Sequence, residues 1–135
     1  MIALANIGLL DILSKLCATV VVTPQIAAEY GDPLPEWIHV QAVTNSQVMD
    51  AILNVLDIGE SSAIALSLET ENALLVLDEK KARVYARNHG LKHTGTIGIL
   101  LDAHRNHLLN NIEEVLDNLR NSGFRMPADI VDIDA

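Results

Sequence analysis

Apolar positions along the first stretch of the chain fall at Ile2, Leu4, Ile7, Leu9, Leu10, Leu13 and Leu16. That spacing predicts one helix with a broad buried face over Met1 to Leu16. Thr19 to Val22 is continuous and β-branched, and reads as a buried strand. Thr23 and Pro24 supply an N-cap and a first-turn proline for a helix that runs to about Tyr30 and stops at Gly31. Gly31 to Glu36, with two prolines, reads as a loop, and Trp37 to Val43 as a short edge strand. Helical spacing returns over Ser46 to Leu56, through Val48, Ile52, Val55 and Leu56. Asp57-Ile58-Gly59 is read as a break. Glu60 to Leu68 is then a helix whose small Ala and Ser residues allow close approach to a sheet.

The second half continues the alternation. Ala73 to Leu77 is an apolar run ending in Asp78, which predicts a central parallel strand. Glu79 to Asn88 reads as a helix stopped by His89-Gly90, and Leu91 to Thr94 as one more short strand. Helices are predicted over Ile97 to His104 and Ile112 to Asn121, the last stopped by Gly123. Strands alternating with helices imply an α/β fold, with a mostly parallel sheet and right-handed crossovers, in a single domain. Ile130 to Asp134 alternates apolar and acidic residues as a strand does, although Pro127 also suits the start of a short terminal helix.

Composition narrows the class. Half of the 135 residues are hydrophobic and almost all of these are aliphatic, as helices on a buried sheet require. No apolar run reaches the roughly 18 residues that cross a bilayer, and Asn6 and Gly8 interrupt the apolar start. A soluble, cytoplasmic protein without a membrane partner is expected. The single cysteine, Cys17, excludes an intrachain disulfide. The formal net charge of −9 argues against broad, nonspecific nucleic-acid binding. Yet Lys80, Lys81, Arg83, Arg87 and Lys92 gather five of the nine basic residues in one short stretch. They make either a solvated helix face or a local strip for phosphate contacts.

Two carboxylates stand where an α/β sheet places its chemistry. Asp78 follows the apolar run directly, beyond the carboxyl end of a strand. Its structural alternative is to N-cap a helix that starts at Glu79. Glu60 opens a helix after Gly59, where a negative charge also suits the helix dipole. Such a pair can hold Mg²⁺ together with water and substrate phosphate. His104 and His107 lie three apart but lack a metalloprotease pattern, and read as surface residues.

Four segments occur in order: Thr23-Pro24 with Glu29; Gly59-Glu60-Ser61-Ser62-Ala63-Ile64-Ala65-Leu66; Leu77-Asp78-Glu79-Lys80-Lys81-Ala82-Arg83; and Thr94-Gly95-Thr96-Ile97-Gly98-Ile99-Leu100. The series resembles the PIN-like proteins related to VapC-type toxins, in the branch with a Thr-Gly-Thr turn, up to about Arg125. The resemblance implies a three-layer α/β domain acting as a ribonuclease on RNA, with Mg²⁺ or Mn²⁺ in an acidic cluster. Glu60 and Asp78 match two metal positions and are the expected catalytic pair, with Glu79 at the neighbouring acidic position. Glu29, Thr94 and Thr96 match positions lining the site. Lys80, Lys81, Arg83 and Arg87 follow the site directly and are expected to face RNA or a partner. A small antitoxin protein and a homodimer are the partners that the resemblance implies.

The chain departs from that family at one point. Members begin with a strand ending in Asp-Thr/Ser, just before the segment matching Ile2-Ala3-Leu4-Ala5. The first strand and a main metal ligand are therefore expected to be missing. That leads to two expectations: an N-terminally incomplete domain with weak or no activity, or a non-catalytic remnant that binds a protein or regulates. Ile130 to Asp134 is an internal candidate for the vacant strand.

Overall fold

Capping chemistry sets the element boundaries in the computed structural model, which describes residues 1–126. The chain runs α1 (Ile2–Asn6), α2 (Ile12–Leu16), β1 (Val20–Val22), α3 (Pro24–Tyr30), β2 (Ile38–Val40) and α4 (Ser46–Leu53). It continues with α5 (Ile58–Leu68), β3 (Leu75–Val76), α6 (Lys80–Asn88), β4 (His93–Thr94), α7 (Thr96–Arg105) and α8 (Ile112–Asn121). This is an α/β fold with paired strands among helices, and it divides into two compact units. One is continuous from Thr19 to His93; the other joins Met1–Ala18 to the chain from Thr94 onward. The segment 130–134, read as a strand from its alternation, lies outside the described residues.

In the discontinuous unit the helix predicted over Met1 to Leu16 is two helices. Gly8 adopts φ +72°, and the Leu9 N–H donates to the Leu4 carbonyl at 2.9 Å while the Gly8 N–H donates to Ala5 at 3.0 Å. This left-handed glycine stop overrides an apolar period that continues through it. The same motif closes α7, but with His107 at φ +61° and the Leu108 N–H on the Ala103 carbonyl at 2.9 Å. A left-handed L-residue costs about 1–2 kcal/mol, against about 0.5–1 kcal/mol of extra unfolded-state entropy for glycine. His107→Gly should therefore stabilise the protein by about 0.5–1 kcal/mol, read as a higher urea midpoint. A lower midpoint would show that the His107 side chain contributes more than its backbone costs. Helices α2 and α7, α7 and α8, and α1 and α8 pack together. Leu4, Ile12, Leu13, Ile97, Leu100 and Leu119 are buried in this unit.

In the continuous unit β1 and β2 are parallel, with Val20 opposite Ile38, Val21 opposite His39 and Val22 opposite Val40. Val22 and Ile38 are buried, whereas Val21 and its partner His39 are exposed, so one face of the pair meets the core, and Val40 lies at the open end of that face. Thr23 accepts from the Ile26 N–H through its side chain and Pro24 opens α3, as the sequence predicts. Helix α5 packs on α3, α4 and β3. Its buried Gly59, Ser61, Ser62 and Ala65 allow that proximity. Ile52, Leu56, Ile64, Ala65, Leu75 and Leu77 share one core with the Ala82 and Ala86 side of α6.

The run Ala73 to Leu77 differs from the central strand expected of it. Only Leu75 and Val76 are strand, paired with β4, and among the described residues β3 has no second strand partner. Leu75 and Leu77 are buried while Leu74 and Val76 are exposed. The chain alternates there as a strand with one covered face does.

Candidate functional site

The first turn of α5 carries the most perturbed acid among the described residues. Asp57 is its N-cap, with Oδ1 accepting the Glu60 N–H at 3.0 Å. The break predicted at Asp57-Ile58-Gly59 is thus the start of the helix. The spacing Asp-x-x-Glu was the signal, since it is a capping pattern. Glu60 is half-buried, and its Oε2 is buried with no hydrogen-bond partner. Burial is the first cause that pushes its carboxyl up to about 8; a hydrogen bond to Asp57 follows, then the charges of Asp57, Glu79 and Glu29. Glu69 shows the opposite case at the far end of α5. Its carboxylate accepts from the Thr44 hydroxyl and from the Asn45 and Thr44 N–H groups, and its pKa is lowered. The two environments differ: burial outweighs everything else at Glu60, whereas three donors outweigh desolvation at the exposed Glu69.

Glu29, on α3, reaches the same turn. A Cβ built on Gly59 would stand 2.8 Å from Glu29 Oε1 and 2.9 Å from Oε2. Glycine at 59 therefore leaves the space that the Glu29 carboxylate occupies. Glu79 also acts on Glu60 through its charge. It is the N-cap of α6 in an extended conformation, and its carbonyl accepts the Arg83 N–H at 3.1 Å. The alternative reading of Asp78 as that cap is thereby corrected, because the helix starts one residue later. Asp78 is exposed and follows the buried Leu77.

The remaining predicted positions sort by element. Lys80, Lys81 and Arg87 are exposed on α6 and Arg83 is half-buried, while Ala82 and Ala86 face the core. Two lysines in a first turn oppose the helix dipole, and Asp78 and Glu79 precede them as counter-charges. Thr94 ends β4, and Thr96 is the fully buried first residue of α7; both belong to the discontinuous unit. A cleft of about 250 Å³ lined by Ser67, Thr70, Asn72 and Lys92 lies at the N-terminal end of β3. The carboxylates follow the other end of that strand.

A family model described as PIN domain, DUF3368, matches residues 1–132. The chain belongs to the PIN domain family. No curated protein and no solved structure matches it. PIN domains generally bind Mg²⁺ or Mn²⁺. The donor chemistry of this PIN domain suits such an ion: an unpartnered buried carboxyl oxygen on Glu60, within the field of three further carboxylates. Among the described residues no three ligand groups stand close enough to complete a cage. An ion held here would take the balance of its ligands from water and substrate oxygens, as Mg²⁺ commonly does. Also among the described residues, no helix is long and apolar enough to cross a membrane.

Proposed function

We propose that this PIN domain is a metal-dependent ribonuclease of the VapC type, cleaving RNA phosphodiester bonds. The observation that carries the reading is the gathering of Asp57, Glu29 and Glu79 around the half-buried Glu60 in a PIN-family chain. Glu60 and Asp78 would hold Mg²⁺ or Mn²⁺, with Glu79 beside them. The bound ion would activate water and offset charge on the phosphate. Glu29 deepens the negative potential, and the half-buried Glu60 turn limits access of bulk water. Lys80, Lys81, Arg83 and Arg87 would receive the RNA backbone. The acidic remainder of the chain confines binding to that strip. A homodimer and a small antitoxin partner belong to the same reading.

The shortage of a third ligand group among the described residues supports a second reading, a PIN-like module that binds without cleaving. One set of measurements separates the two. With Mn²⁺ and single-stranded RNA, the 135-residue chain should cleave slowly, and Asp78→Asn should abolish the cleavage. Arg83→Ala with Arg87→Ala should flatten the logarithmic salt dependence of RNA binding by about 1.4, at about 0.7 per lost phosphate contact. RNA binding with no cleavage at any Mn²⁺ concentration would favour the module. A salt slope unchanged in the double variant would leave the strip as a solvated face.

A further inference from the structure

Two buried hydroxyls link the helices that carry Glu29 and Glu60. Thr23 and Ser62 are 1% and 0% exposed, and their oxygens lie 2.7 Å apart. Each hydroxyl has one proton to give. The Ser62 hydroxyl donates to the Gly59 carbonyl at 2.7 Å. The proton between the two oxygens is therefore the one on Thr23. Thr23 Oγ1 in turn accepts the Ile26 N–H at 3.2 Å. The result is a directed chain from the Ile26 amide, through Thr23 and Ser62, to the Gly59 carbonyl. It enters α5 at the residue whose missing Cβ admits the Glu29 carboxylate.

We infer that Thr23 and Ser62 are positioning residues, whose hydrogen-bonded hydroxyls fix α3 against α5 and so hold the Glu29 carboxylate over Gly59, beside Glu60. Helix α3 packs on α5, with its N-cap on Ser62 and its last turn on Gly59. With both contacts made, the helix has one orientation. Without the hydroxyl contact the N-terminal end of α3 loses its polar anchor on α5, and the packed helix can shift relative to Gly59. The burial of both hydroxyls excludes water as a replacement partner. Threonine and serine at these positions are thus required for their protons as well as their size. Neither touches the reacting atoms; both act through the acids that they align.

This inference rests on the site being a metal-binding one, and the test separates the two ideas. Mn²⁺ is titrated into the full chain and its affinity is read from water-proton relaxation enhancement, well below the thermal midpoint. Thr23→Val keeps the shape but removes the hydroxyl, and should weaken Mn²⁺ binding roughly tenfold or more, the loss typical for groups that orient ligands. Ser62→Ala should do the same, and decides the matter should the valine variant not fold. Thr23→Ser restores the proton and should stay within about twofold of the parent. A purely structural role would lower the melting temperature of the variants and leave their affinity unchanged; that result overturns the inference alone. A parent chain with no Mn²⁺-dependent enhancement overturns the metal site, and this inference with it.

Discussion

Glu60→Gln is expected to make the protein more stable at pH 9 and to change little at pH 4. The carboxyl of Glu60 rises from 4.5 to about 8 on folding. Below pH 4.5 it is protonated in both states and adds no pH-dependent term. As pH rises from 4.5 to 8 the unfolded chain releases the proton and the folded one keeps it, so stability falls across that window. Above pH 8 the folded protein carries the charge and the full cost. A shift of that size would be roughly 5 kcal/mol for a fully desolvated group; solvent screening of this half-exposed one leaves about 2 kcal/mol. Glutamine keeps the shape and the neutral state at every pH. Urea melts of both proteins at pH 4 and pH 9 measure the difference directly. Millimolar Mg²⁺ should close part of the gap at pH 9 by binding the folded parent. Equal destabilisation by glutamine at both pH values would refute the account.

A larger loss is expected from Ile64→Ala. Ile64 is 0% exposed in the middle of α5 and belongs to one cluster with Ile52, Leu56, Leu75, Leu77, Ala82 and Ala86. The small residues that bring α5 close to its neighbours leave little room for them to collapse into a void. The transfer and cavity costs should then lie at about 3–4 kcal/mol, a sizeable share of the 5–15 kcal/mol typical of a native domain. In thermal unfolding this is a fall of about 10–15 °C. Leu68→Ala, on the same helix but 51% exposed, is the control and should shift the midpoint by less than about a quarter as much. Similar losses at both positions would mean that burial at Ile64 does not decide the stability of α5, since alanine lowers helix propensity at neither site.

Residues with local rules announced their elements. Thr23, Pro24 and Gly31 bounded α3, and Gly123 stands just after α8, because cap and left-handed positions are set by a few neighbouring atoms. Gly8 carries the same information but sits within an apolar period that continues on both sides, so the period alone predicts one unbroken helix. His107 gave no comparable signal, since histidine seldom ends a helix in the left-handed region. Within the site, the presence of acids at 29, 60, 78 and 79 was legible in their order along the chain. The protonation of Glu60 was not. It depends first on the burial of the carboxyl in the folded chain, and then on Asp57, Glu79 and Glu29 standing near it, which no local rule reveals. Gly59 was the one sequence hint, a glycine in the first turn of a helix where alanine is otherwise favoured.

The division of the chain also bears on how it is made. The unit from Thr19 to His93 is contiguous, whereas Met1–Ala18 belongs with residues that follow Thr94. During synthesis the inner unit has its whole sequence available first, and domains fold as they emerge. The leading helices must wait for α7 and α8, and closing the intervening loop carries an entropy cost of about 4 kcal/mol for some 75 residues. A folded inner unit fixes the separation of its own ends, so the loop to be closed is no longer a flexible chain. Substitutions in the core around Ile64 should therefore delay assembly of α1 and α2 although they touch neither, whereas substitutions at Leu4 should leave the inner unit's folding rate unchanged.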